Sequence, residues 1–289
     1  KTVLFLGWCK MSFDAAFIGY QNRVTSATLL AVGVTSGYSV NSLKNWQPFE
    51  FVSFDAGSNS ITIDCGSAVS VDYFAIGAHE LFTSNTDNII LKASALSDFS
   101  VSVTLATINN VSAGVYDGSY RYNTSTSIPS QIVDDNYNVC LKLDSVSYRY
   151  YRLEFTPSTV VRIAVLAIGQ RMEFELGFYK GIAPPKLNED IVVTNNKSES
   201  GIYLGRSIVR TGIKPTSINL DNISHAWLYA TWLPFKQHAE VYPFFYSFGN
   251  TPLYNNQLCY QTSFAPVKFD DRIGGGHGSC GITFEGVIK

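Results

Sequence analysis

Ser60-Ile61-Thr62-Ile63-Asp64-Cys65-Gly66-Ser67-Ala68-Val69-Ser70-Val71-Asp72-Tyr73-Phe74-Ala75-Ile76 is the stretch that decides the fold. Ser60 to Asp64 alternates polar and apolar residues with a period of two, which puts Ile61 and Ile63 on one face of a strand. Asp64-Cys65-Gly66 reads as that strand meeting a tight turn, and Val71 to Ile76 as the next, buried strand.

The same rhythm runs outward in both directions. Phe49 to Phe54, Asn88 to Ala93, Val101 to Leu105, Asn138 to Leu143, Tyr148 to Phe155 and Val161 to Ile168 are short runs rich in β-branched and aromatic residues, punctuated by Gly, Asn, Asp, Ser or Pro. Strands of this length and spacing predict a β-sandwich or barrel with one solvated face. The pattern changes near Gln170. Met172 to Tyr179 alternates until Ala183-Pro184-Pro185 halts it, because proline cannot donate to a ladder. A helix is expected from Ser224 to about Glu240, with Ser224 as cap and Leu228, Trp232, Phe235 and Ala239 on one face. Pro234 should kink it or restart it from a first turn. Strands over Val241 to Phe248 and Leu258 to Phe264 follow, and then a hairpin from Val267 to Ile273 and Ile282 to Ile288 across the glycine run Gly274 to Gly278.

Composition narrows the function. Of 289 residues 46% are hydrophobic and 15% charged, enough apolar surface to form a core in each of two units and too much for disorder. The net charge of -2, with no basic run, speaks against direct binding of nucleic acid. No apolar stretch approaches the ~20 residues of a membrane-spanning helix. Lys1 to Lys10 reads as a first strand in preference to a signal peptide. The 5 cysteines are widely spaced, without a C-x-x-C pair, and are expected to be free thiols of a reducing cytoplasm. Among the 4 histidines none has metal-binding spacing, so neither metal nor cofactor is expected. His277 with Cys280 beside the glycine run is expected to be a hairpin tip, not a thiol-imidazole pair, and Asp134-Asp135-Asn136 a solvated loop, not a cation site.

Two sets of residues carry resemblances. Tyr38-Ser-Val-Asn41-Ser-Leu43-Lys-Asn-Trp46, with Ile61-Thr-Ile-Asp64-Cys-Gly66 and the later Tyr150 to Phe155 and Ile163 to Gly169, resembles the discoidin-like, galactose-binding-like β-sandwich. In that family a loop ending in Trp precedes a strand of I-x-I-D-L-G type. Gly201 to Ser207, Trp227 through Phe235, Tyr242 to Phe248 and Gly281 to Val287, taken with the first half, are similar to distal-tail or baseplate proteins of tailed bacteriophages. The resemblance implies an all-β chain: a discoidin-like sandwich over residues 1–172, then a tail-tube-like β-barrel with one helix over residues 173–289. It further implies a non-enzymatic structural protein of the virion tail, made in the host cytoplasm. Its partners would be further copies of itself, in a ring of about six, and other tail proteins. The order, sandwich before barrel, is the reverse of the usual distal tail protein.

A carbohydrate-binding adhesion module that recognises host glycans is the alternative. For that function Tyr38, Trp46 and Phe82 are the candidate ligand-binding residues, since aromatic rings on loops stack on sugar faces. For Trp46, burial as a plug closing the sandwich is the favoured reading over stacking on a sugar. The Tyr148 to Tyr151 cluster, with Arg149 and Arg152, reads either as a cation-π partner surface or as plain strand alternation. For assembly, Thr194, Asn195, Asn196, Lys197, Ser198, Glu199 and Ser200 lie in what reads as a polar hairpin, Val192 to Gly201, too long for a tight turn and suited to reach a neighbour; an ordinary exposed loop is the alternative.

Overall fold

The computed structural model describes residues 16–81, 87–109, 126–127, 138–176, 189–247, 257–270 and 276–287. The expected first strand at residues 1–10, Phe82 and the Asp134 to Asn136 loop lie outside these. The first half contributes β1 (Phe17–Gly19), β2 (Thr28–Val32), β3 (Val52–Phe54), β4 (Asn59–His79), β5 (Asp87–Ser94), β6 (Val103–Asn109), β7 (Thr126–Ser127), β8 (Val139–Thr156), β9 (Val161–Gly169) and β10 (Arg171–Glu173). The second contributes β11 (Glu189–Lys197), β12 (Tyr203–Ser224), β13 (Phe244–Ser247), β14 (Gln257–Asp270) and β15 (His277–Gly286).

The deciding stretch does not turn back at Gly66. It is one long strand, β4, which bends there and passes from one layer of a sandwich to the other. Gly66 takes φ 76°, a conformation that costs glycine nothing, and its N–H bonds the Asp64 carboxylate at 2.8 Å. Strand β8 bends alongside, paired from Asn59↔Phe155 to Ile76↔Val139, with the register slipping between Asp64 and Val69. One layer therefore holds β2, the first half of β4, the second half of β8, β5 and β6. The other holds β3, β9, the second half of β4 and the first half of β8. Ile61, Ile63, Leu91 and Leu153 of the first layer meet Phe74, Ile76, Leu141 and Ile168 of the second in one buried cluster.

A second irregularity between Val71 and Tyr73 changes which side chains face that cluster. Tyr73 and Ala75 point outward, with Val165 and Ala167 of β9, into a separate cluster that includes Phe17, Trp46, Phe245 and Leu258. The outward face is thus covered by the other sheet, ordered β10-β1-β13-β14-β15-β12-β11. Burial on both faces explains why Ile163 to Ile168 is an unbroken apolar run. The other side of β13, Phe244 and Tyr246, packs against Trp232 and Phe235 of the helical segment.

That segment starts where expected. Ser224 Oγ accepts the N–H of Trp227, α1 (His225–Trp227) leads into a π-helical turn over Leu228–Trp232, and α2 (Leu233–Ala239) carries Pro234 in its first turn. The wider turn absorbs the N–H that proline lacks, and Leu228, Trp232, Phe235 and Ala239 are all buried.

The chain crosses between sheets where the sequence pattern changes: β9 ends at Gly169 and β10 begins at Arg171. Strand β1 nevertheless pairs with β10 and β13, so residues 17–19 hydrogen-bond within the sheet of the second half. The tail-tube-like barrel expected over residues 173–289 is replaced by an open sheet, in which, among the described residues, β10 and β11 are unpaired outer edges. At β1 and β13 both faces are covered, by the sandwich and by the helix, so closure is not needed to bury them. No helix among the described residues is long and apolar enough to cross a membrane.

Candidate functional site

The loop between β2 and β3 carries, among the described residues of the sandwich, the exposed aromatic rings of Tyr38 and Phe49. Thr35 N–H bonds the Ser53 carbonyl at 2.9 Å and Asp55 N–H the Gly33 carbonyl at 2.9 Å, which lays the turn of residues 35–38 along β3. Thr35 Oγ1 donates to Asp55 at 2.7 Å. A 3-10 turn over Val40–Lys44 follows, its first N–H groups capped by Ser39. Leu43 from this turn is fully buried in the sandwich core. Asn45 then donates to the Glu50 carboxylate and accepts from Gln47 N–H at 3.1 Å, closing the loop on itself.

Trp46 is the second anchor. It is 3% exposed and takes φ 62°, the left-handed region, which turns its ring into the contact between the sandwich and the other sheet. There it sits 5.8 Å from Phe245 and 6.0 Å, edge-on, from His238. Burial holds the His238 imidazole below its ordinary range, against the opposing effect of the bond from Nε2 to the Pro243 carbonyl at 3.1 Å. Trp46 is therefore a plug, and its ring is closed to a ligand.

With both anchors inside, the loop presents Tyr38 and its neighbours to solvent. Tyr38 is 42% exposed and its ring lies 5.6 Å from that of Phe51, tilted by 30°. The register Ser53↔Arg162 between β3 and β9 brings the Arg162 guanidinium over the Phe51 ring, at 4.8 Å. Glu80, tied in place by its N–H to the Arg162 carbonyl at 2.9 Å, holds its carboxylate 3.9 Å from that guanidinium. Phe49, 72% exposed, stands on the same loop. The arrangement joins an aromatic platform to a cation and an anion on a backbone fixed at Leu43 and Trp46. Of the three aromatic residues singled out in the sequence, Tyr38 lies in this site and Trp46 beneath it. Phe51 and Arg162 lie in runs that read as ordinary strands; Phe51 falls just before the buried strand β3, and Arg162 lies opposite Ser53 on β9.

The cation-π surface considered at Tyr148 to Tyr151 is internally paired. Arg149 makes a two-pronged bond to Asp64 at 2.8 and 2.9 Å and covers Tyr150 at 4.8 Å. The hydrogen bonds from Arg149 hold the Asp64 carboxyl below its usual range. Arg152 lies over Phe99 at 3.9 Å and donates to Thr62. Tyr151 is buried; its hydroxyl donates to the Val69 carbonyl at 2.8 Å, and burial pushes its pKa up to about 12. Strand alternation accounts for the cluster.

Cys65, Cys140, Cys259 and Cys280 are free thiols, and burial pushes Cys65 up to about 11 and Cys280 up to about 12. His277 and Cys280 lie within β15, where the imidazole is exposed and the thiol buried. Among the described residues no group of three or more His, Cys, Asp or Glu is placed to hold a metal. The polar segment Thr194 to Ser200 is not a long loop: Thr194 to Lys197 belong to β11, and Ser198 to Gly201 form a tight turn, with Ser198 N–H bonded to the Ile202 carbonyl at 2.9 Å.

No protein-family model and no curated protein sequence matches the chain. Solved structures with similarity to it include carbohydrate-binding modules. Chitosan-binding module 1 from a Paenibacillus chitosanase/glucanase is 11% identical, with 52% of this chain and 99% of that one covered and a TM-score of 0.36. The CBM32-5 module of Clostridium perfringens, in complex with GalNAc-β-1,3-galactose, is 12% identical, with 52% and 100% covered and a TM-score of 0.36. A Ruminococcus gnavus GH29 fucosidase in complex with fucose is 12% identical over 54% of this chain, with a TM-score of 0.38, and the match spans 27% of the fucosidase.

Proposed function

We propose that the sandwich binds carbohydrate at the Tyr38 and Phe51 platform and that the chain is a binding protein, not an enzyme. The observation that carries this is the exposed Tyr38 ring beside the half-buried Phe51 ring, with Arg162 over Phe51 and Glu80 beside that guanidinium. A pyranose has an apolar face of C–H groups and a rim of hydroxyls. The face matches a flat aromatic surface, and the hydroxyls match planar groups that donate and accept. A loop pinned at Leu43 and Trp46 loses little freedom on binding, which favours affinity from a small contact. Native electrophoresis of the full chain through gels containing soluble polysaccharides tests this. Retardation that disappears in Tyr38→Ala is expected, and equal mobility in every polysaccharide argues against the reading.

The second reading, a structural component of a phage tail, keeps one observation in its favour. The hairpin of β11 and β12 projects from the open sheet with apolar residues exposed, a feature suited to assembly. In that reading the chain joins copies of itself and other tail proteins in the virion, and the sandwich meets glycans of the host surface. Electron microscopy of the purified chain separates a ring from smaller species.

A further inference from the structure

The hairpin is an arm. Strand β15 pairs with β12 only from Ile213 to Ser224, so the part of β12 from Tyr203 to Gly212 is held by β11 alone. At ~3.3 Å per residue this two-stranded part extends about 30 Å. Farther along β12, Ile218, Leu220 and Ile223 are buried; on the arm Val192, Val193, Ile202, Tyr203 and Leu204 are all exposed, Leu204 by 67%. A two-stranded ribbon in water is at best marginally stable, and five large apolar side chains in solvent add nothing to it. Strand β11 is also the end of its sheet, with one edge unpaired among the described residues. Between Asp190 and Lys197 it has no charge, no proline and no glycine, the devices that usually protect such an edge.

The geometry points to a second copy of this chain as the partner of that edge, with β11 paired antiparallel to β11 about a two-fold axis at Val193. The sequence of the strand is self-complementary in that register. Register position 189, an acidic residue in the sequence, falls opposite Lys197 of the second copy at each end of the ladder, and Val193 falls opposite Val193 of the second copy at its centre. A slip of one residue sets Val193 against Thr194 of the second copy and Val192 against Asn195 of the second copy, and turns every side chain to the other face. The pairing joins two sheets of 7 strands edge to edge, and each arm tip, with Ile202, Tyr203 and Leu204, reaches the base of the other arm. An isologous contact of this kind closes on itself and stops at two copies. The surface is below the roughly 800 Å² per partner of a standard interface, so a reversible dimer in the micromolar range is expected.

Sedimentation equilibrium of the full chain from 1 to about 100 μM tests the inference. A monomer–dimer equilibrium is expected, and Val193→Lys, which places like charges on the axis, should leave a monomer with an unchanged circular dichroism spectrum. A second measurement fixes the register. Val193→Cys meets itself across the axis and should form a disulfide-linked dimer on mild oxidation, while Thr194→Cys and the unsubstituted chain under the same conditions should not. A wild-type chain that stays monomeric at 100 μM, a larger closed ring, or cross-linking of Thr194→Cys as fast as Val193→Cys overturns it.

Discussion

Replacing Trp46 by alanine removes the side chain that connects the loop, the sandwich and the second sheet. An indole that is only 3% exposed buries about 150–250 Å², and at ~25 cal/mol/Å² that is about 4–6 kcal/mol. The denatured chain already covers part of this surface, which lowers the expected loss to about 3–5 kcal/mol, in line with other buried aromatic-to-alanine changes. Alanine retains a Cβ, so the strain of φ 62° is unchanged. Trp46→Gly relieves that strain and should come out about 1 kcal/mol more stable than Trp46→Ala, the reverse of the usual order. Urea unfolding followed by far-ultraviolet circular dichroism measures both variants without depending on tryptophan emission. A loss below about 1 kcal/mol in Trp46→Ala, or a glycine variant less stable than the alanine one, would refute the packing of Trp46 against Phe245 and His238.

His238 is buried with its pKa lowered, so the folded state binds its proton less well than the unfolded chain; its contribution is complete above the ordinary value of 6.5 and is lost as pH falls below it. Unfolding free energy should decline from pH 7 to 5, and His238→Gln, whose amide still reaches the Pro243 carbonyl, should flatten that slope. Arg171 is 12% exposed and donates to the carbonyls of Asp72 and Leu143, at 2.6 and 3.1 Å, and to the Glu173 carboxylate at 2.7 Å. Arg171→Leu removes the donor to the two carbonyls, while Glu173 keeps Lys142 at 3.0 Å, and should cost about 2–4 kcal/mol in the same urea assay, with Arg171→Lys recovering little of it. Gly19 lies so close to Tyr73 that an added Cβ would come within 2.4 Å of the ring; Gly19→Val should lower the melting temperature, and a neutral result would mean that β1 does not press on β4.

The sandwich was legible in the sequence wherever a strand's environment is written in its own residues. Ile61 and Ile63 alternate because one side of β4 faces the core, and Ile163 to Ile168 runs without a break because β9 is covered on both sides. Ser224, Pro234 and the spacing of Leu228, Trp232, Phe235 and Ala239 marked the helical segment to within a residue or two. What the sequence did not disclose depends on distant partners. Gly66 signalled a change of direction, but only the pairing with β8 shows that the strand bends and continues. Trp46 read as a buried plug and is one, but its partners Phe245 and His238 belong to the other half and left no local sign. Phe51 and Arg162 looked like ordinary strand residues because nothing local reveals that Phe51 stops short of β3 or that the pairing of β3 with β9 sets Arg162 opposite Ser53. The polar run from Thr194 to Ser200 read as a hairpin with a long connection; the hairpin is there, but cross-strand bonds such as Arg206 to Asn195 at 3.1 Å hold most of the run in the ribbon and leave only a tight turn.

The most direct test of the carbohydrate-binding account is a glycan array probed with the full chain and with Tyr38→Ala and Phe51→Ala, each verified as folded. The account predicts that the wild-type chain binds a defined set of glycans and that either substitution weakens every one of them about tenfold or more, the loss of ~1.4 kcal/mol expected for a stacked ring. Glycan binding that survives both substitutions unchanged, or no binding by the wild-type chain across the array, would contradict it.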